Sequence, residues 1–157
     1  MEMKHILYIL LSFVGFAVMT AACDDSVAYD KYKPTQAAGW YKGDTVVFDV
    51  PRLRQSGRYG QNLGLRITAG YPFVSLSVAV ERVVEPGHRR YCDTLSCRVY
   101  DDEGNIIGRG VSKYQYDIAL PDITLSEGDS MHVSVRHLMR RETMPGISDV
   151  GFRLTRK

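Results

Sequence analysis

The sequence predicts an all-β fold: a two-sheet antiparallel β-sandwich of jelly-roll type with about eight strands. Two observations carry this. Apolar and polar residues alternate in several short runs, the period-2 pattern of strands that bury one face. Turn-forming residues separate those runs at short intervals, the spacing of a sandwich.

The runs follow in order. Thr45-Val46-Val47-Phe48-Asp49-Val50 sets Val46, Phe48 and Val50 on one face, and Pro51 closes it. Leu63-Gly64-Leu65-Arg66-Ile67 alternates in the same way. Residues 74–84 place Val74, Leu76, Val78 and Val80 on one side, with Ser75, Ser77 and Ala79 on the other. Leu95-Ser96-Cys97-Arg98-Val99 repeats the pattern, as do Met131, Val133 and Val135, and then Val150, Phe152 and Leu154. Turn signals lie at Ser56-Gly57, Glu85-Pro86-Gly87, Glu103-Gly104-Asn105, Pro121-Asp122, Glu127-Gly128-Asp129 and Pro145-Gly146. Residues 138–143 read as a short helical turn or an irregular loop. The domain is expected over 39–157, with no internal repeat, and is long enough to bury a core without cross-links.

The N-terminal segment is of another kind. A short n-region with Lys4 precedes an apolar stretch over residues 6–19, and Thr20-Ala21-Ala22-Cys23 closes it. The stretch is shorter than the ~20 residues of a membrane-spanning helix and has the length of a signal-peptide core. Small residues before Cys23 resemble the bacterial lipobox, although Thr20 stands where an aliphatic residue is usual. The expectation is a signal peptide over 1–22 and a lipidated Cys23. Removing 22 of 157 residues leaves 135, about one domain. Residues 23–38, poor in aliphatics, read as the lipidated Cys and a tether. Asp24-Asp25 resembles either an inner-membrane retention signal or a surface-export signal.

The chain carries a formal charge of +2. That near-neutrality, together with export, argues against nucleic acid as a partner. The basic clusters Arg52/Arg54/Arg58, His88/Arg89/Arg90, Arg136/His137/Arg140/Arg141 and Arg153/Arg156/Lys157 read as solvated surface.

Candidate chemistry is sparse. Cys92 and Cys97 remain after lipidation. On one strand they lie on opposite faces ~16 Å apart, too far for a bridge. A turn at Asp93-Thr94-Leu95-Ser96 would bring them together, so a disulfide and a small core residue at Cys97 stay open alternatives. His88, His132 and His137 match no zinc spacing. Asp101-Asp102-Glu103-Gly104-Asn105 lacks the full calcium-loop spacing and reads as a hairpin turn. No phosphate loop or nucleophile elbow occurs in the sequence. No cofactor or metal is expected, and the chain is expected not to be an enzyme. The aromatic content is more suggestive. Tyr41, Tyr59 and Tyr71 lie beside turns and are the candidate contacts for an envelope protein or, alternatively, a surface glycan.

A resemblance adds to this. The relevant residues are Val27-Ala28-Tyr29-Asp30-Lys31-Tyr32, Gly39-Trp40-Tyr41-Lys42-Gly43-Asp44, Asn62-Leu63-Gly64-Leu65-Arg66 and Tyr71-Pro72-Phe73. They continue with Asp102-Glu103-Gly104-Asn105, His137-Leu138-Met139-Arg140 and Pro145-Gly146-Ile147-Ser148-Asp149-Val150-Gly151. Together they resemble the GldH family of gliding-motility-associated lipoproteins of Bacteroidetes. The resemblance implies an outer-membrane lipoprotein, lipid-anchored, with its domain in the periplasm or at the surface. It implies a non-catalytic accessory role in an envelope assembly linked to gliding or type IX secretion. Within the quoted motifs, Asp149 is expected to pair with Arg140 or Arg66 and fix the last strand.

Overall fold

A computed structural model describes residues 26–157. The signal segment and Cys23 lie outside the described residues. Among the described residues, eleven strands follow one another: β1 (Val27–Pro34), β2 (Trp40–Tyr41), β3 (Val46–Val50), β4 (Gly57–Thr68), β5 (Ser75–Glu85), β6 (Arg89–Arg98), β7 (Arg109–Gly110), β8 (Lys113–Leu125), β9 (Ser130–His137), β10 (Thr143–Met144) and β11 (Ile147–Arg156). The large sheets have the orders β1-β11-β4-β8-β7 and β3-β9-β5-β6, and β2 pairs with β10. Setting aside the three two-residue strands, eight long ones remain. In chain order they lie first-eighth-third-sixth in one sheet and second-seventh-fourth-fifth in the other, which is the jelly-roll arrangement.

Alternation builds the core. Leu63, Leu65 and Ile67 of β4 face Leu76, Val78 and Val80 of β5, and Phe48, Val133, Val135, Val150, Phe152 and Leu154 fill the space between. Each such side chain contributes ~1.5–3 kcal/mol on burial. The β5–β6 turn reverses at Pro86-Gly87-His88, where Gly87 has φ 102° and His88 φ 51°.

Several readings change. Residues 27–34, taken from the sequence as tether, form β1 and pair with β11 over Val27↔Thr155 to Pro34↔Asp149. An edge strand with Tyr29 as its one fully buried side chain lacks the aliphatic alternation that marks a central strand. Pro121-Asp122 is not a turn between strands. It lies inside β8 at a bulge, where the register with β4 shifts between Tyr59 and Gln61. Proline is tolerated there because the ladder is already interrupted. Of residues 138–143, the first five form an irregular loop and Thr143 begins β10. Strand β6 is continuous through Cys92 and Cys97, with ten unshifted pairs to β5. Both cysteines are free, Cys92 exposed and Cys97 buried, and burial pushes the Cys97 thiol up to about 11.

Candidate functional site

The outer face of the five-stranded sheet carries the densest polar arrangement. It is built row by row. Tyr32, Gly151, Gly64 and Asp117 stand side by side across β1, β11, β4 and β8. The next row is Pro34, Asp149, Arg66, Gln115 and Arg109. On the other side lie Asp30, Arg153 and Asn62.

The two glycines explain the centre. The Tyr32 ring lies flat across them. A Cβ on Gly64 would fall 2.1 Å from the Tyr32 hydroxyl oxygen, and one on Gly151 would fall 2.5 Å from ring carbon Cε1. The ring therefore covers backbone that any side chain would displace. Arg66 covers its other side, with the guanidinium 4.0 Å from the ring centroid. Arg66 Nε donates to Gln115 Oε1 at 3.3 Å. Gln115 Nε2 donates to the Tyr32 hydroxyl and to Asp117 Oδ1, the latter at 2.9 Å. Burial raises the Tyr32 phenol above its ordinary value, and the bond from Gln115 partly offsets this.

Charges close the lattice. Arg109 reaches Asp117 at 2.9 Å, Lys113 reaches Asp149 at 3.2 Å and Arg153 reaches Asp30 at 3.6 Å. Arg66 is the cation of this face with no carboxylate partner among the described residues. A shallow pocket of about 280 Å³ lies over these rows. It offers hydrogen-bonding groups and one guanidinium that is held by a ring and an amide but has no carboxylate partner among the described residues. It suits a polar partner surface.

The sequence-derived candidates separate. Arg66 and Asp149 are register partners on β4 and β11, yet Asp149 accepts from Lys113 and from Ser148 Oγ at 2.8 Å. Arg140 is exposed in the loop after β9, and no carboxylate of the described residues pairs with it. The expected Asp149 fork with either arginine is thus replaced by a lysine contact, because Arg66 is drawn aside onto Tyr32. Tyr59 and Tyr71 are each 2% exposed, and their hydroxyls donate to the carbonyls of Gln55 (2.6 Å) and Ser75 (2.8 Å). They are core residues whose polar tips are satisfied locally, not open contacts. Tyr41 is exposed. Cys23 lies outside the described residues.

Tyr32 and Gln115 were missed. Tyr32 fell in the segment read as tether, and the pairing of Gly64 with Gly151 is a register property that no single run displays. Arg82 was also missed. It sits at an inward position between Val80 and Val84 on β5, is 2% exposed, and pairs with Asp93 of β6. A charged residue in register with valines was the available signal. His132 is exposed and 2.7 Å from Asp49, whereas His137 is buried with its ring edge-on to Trp40 at 5.4 Å. Among the described residues, no group of three or more His, Cys, Asp or Glu converges.

Comparison with known proteins places the chain. The model of the GldH lipoprotein family matches residues 27–154, from the first residue of β1 almost to the end of β11. The gliding motility lipoprotein GldH of Flavobacterium johnsoniae is 27% identical over 148 residues, covering 90% of this chain and 92% of that protein. Among solved structures, the Eiger TNF of S. frugiperda aligns with a TM-score of 0.39 and 13% identity, over 85% of this chain and 87% of that one. Dimeric latent PorU of Porphyromonas gingivalis aligns with a TM-score of 0.35 and 9% identity, over 88% of this chain and 14% of that one. With the family model spanning the sandwich from Val27 to Leu154, the chain belongs to the GldH lipoprotein family.

Proposed function

We propose that this protein is a gliding-motility-associated lipoprotein that acts by contact, as a non-catalytic component of an outer-membrane assembly. The family match over residues 27–154 carries the reading. Cys23 supplies the anchor, and the outer face of the five-stranded sheet supplies the contact surface. That face is polar, laced with charge and fixed by Tyr32, which suits a hydrated protein interface. The glycan alternative loses its platform. Tyr32 has one ring face on glycine backbone and the other under Arg66, while Tyr59 and Tyr71 are buried.

The test is crosslinked co-isolation of the tagged full chain from its own envelope, with acyl labelling in parallel. Wild type is expected to carry label, fractionate with the outer membrane and bring down envelope proteins. Arg66→Glu is expected to lose those partners while keeping the label. Unchanged lipid incorporation in Cys23→Ala would remove the anchor from this reading. Unchanged partner recovery in Arg66→Glu would remove the surface.

A further inference from the structure

The end of the sandwich where β1 begins holds a second cleft, of about 560 Å³, opposite in character to the charge-balanced outer face. It is bordered by Arg52, Arg54 and Arg156, with Ala28 and Tyr59 at its base. All three arginines are exposed, and none makes a salt bridge among the described residues. Among the described residues, no acidic side chain lines the cleft.

Its walls are fixed. Leu53 is buried between Arg52 and Arg54; its N–H donates to the Asp129 carbonyl at 2.8 Å and its carbonyl accepts from Gly128 N–H at 2.9 Å. Anchoring the middle residue turns both flanking arginines outward. Arg156 N–H donates to the Ser26 carbonyl at 2.7 Å, tying the third arginine to the chain just before β1. Arg58, Arg89, Arg90, Arg98, Arg109 and Arg153 have carboxylate partners, whereas Arg66, Arg136, Arg140 and Arg141 have none among the described residues; what sets the cleft apart is that three unpaired arginines border one cavity.

Geometry then fixes what the cleft faces. Three residues lie between Cys23 and Val27, and the four Cα–Cα steps, at ~3.6 Å each, reach no further than about 14 Å. A lipid on Cys23 therefore holds this end of the sandwich against the headgroups, close to one Debye length at ~0.1 M salt. Guanidinium forks bind phosphate oxygens in pairs.

We propose that this cleft binds the headgroup phosphates of anionic lipids in the leaflet that carries the anchor. The anchor gives attachment; the arginines give orientation, setting the long axis of the sandwich on the membrane and leaving the outer sheet face free for partners. The proposal rests on Cys23 being the anchor, as proposed above, and the experiment separates the two.

The full lipidated chain is reconstituted in vesicles of phosphatidylcholine alone, or with roughly one-third phosphatidylglycerol added. Arginine reactivity toward phenylglyoxal is mapped by mass spectrometry. Arg140 and Arg141, exposed beyond the far end of β9, are the internal controls. The expected result is at least a threefold drop in reactivity at Arg52, Arg54 and Arg156 in the anionic vesicles only. High salt should reverse it, and the controls should not change. Equal reactivity in both vesicles, or an equal drop at Arg140 and Arg141, overturns the proposal. So does the same protection by millimolar inorganic phosphate in detergent, which would make this a free-anion site. Failure of the chain to stay with either vesicle instead overturns the anchor at Cys23.

Discussion

Arg66 and Arg82 solve the same problem in opposite ways. Arg66 lies on the outer face of the five-stranded sheet, stacked on Tyr32 and bonded to the neutral Gln115. Arg82 lies between the sheets, with 3% of its side chain exposed, and pairs with the carboxylate of Asp93. Its guanidinium also stands 5.7 Å from the Tyr91 ring, and burial lowers its pKa from the ordinary arginine value. The first charge is only half-buried, so an aromatic ring and an amide suffice to position it. The second has lost its water and requires a counter-charge. The outer arginine is thus free to meet a partner, whereas the inner one is committed to the fold.

The largest effect should come from removing the counter-charge. Asp93→Ala leaves Arg82 buried and unpaired, and unfolding by denaturant is expected to show a loss of about 3–5 kcal/mol. Arg82→Met should cost much less, because the Asp93 side chain is 30% exposed and rehydrates. An Asp93→Ala chain as stable as wild type would mean that Arg82 is solvated, and the contrast between the two arginines would disappear.

The outer lattice is next. Gly151→Ala forces its new methyl into the Tyr32 ring and is expected to cost about 1–3 kcal/mol. In a Tyr32→Ala background the same change should be nearly neutral. A cost that persists there would assign the glycine to backbone strain and not to the ring.

A smaller effect is expected at the other buried basic group. Burial holds the His137 imidazole below 6.5, its ordinary value, while the nearby backbone of Trp40 and Glu142 pulls weakly the other way. The unfolded chain therefore binds a proton that the folded chain resists. This contribution is fully present above about pH 6.5 and is lost as pH falls from there through the folded value. Melting temperatures measured from about pH 8 down to about pH 5 should fall less in His137→Leu than in wild type. Parallel curves would show that His137 charges without penalty.

The smallest effect belongs to Asp149→Ala. Its partner Lys113 has a side chain 54% exposed, so the expected loss is at most about 1 kcal/mol by thermal melting. A loss as large as that of Asp93→Ala would make the outer face a structural element and sharpen the comparison in the opposite sense.

Most of the fold was legible because alternation was clean where strands are central. Phe48 and Val50, then Leu63, Leu65 and Ile67, then Leu76, Val78 and Val80, and finally Val150, Phe152 and Leu154 all point inward as their spacing required, whereas Val74, expected beside Leu76, lies before β5 and is exposed. Legibility failed where local pattern is not what decides. Strand β1 is held by the register of β11 and by Tyr29, so its polar composition looked like a linker. Strand β8 carries Pro121 at a bulge, which reads locally as a stop. The site was less legible than the fold. Arg66 and Asp149 were rightly singled out as motif residues, but their partners depend on which strands adjoin. Tyr59 and Tyr71 sit beside turns, a position that does not distinguish an open ring from a buried one with its hydroxyl tied to a backbone carbonyl.

One feature of the topology bears on how the protein is made. The strand nearest the anchor pairs only with the last strand, Val27 opposite Thr155. Synthesis and export therefore deliver β1 first, but its hydrogen-bonding ladder is absent until the final ten residues have arrived. This is a contact of the highest sequence separation, the kind that forms slowly. The five-stranded sheet consequently gains its β1 edge only once β11 is in place. Loss of β11 would strand β1 as well, removing two neighbouring strands from one sheet.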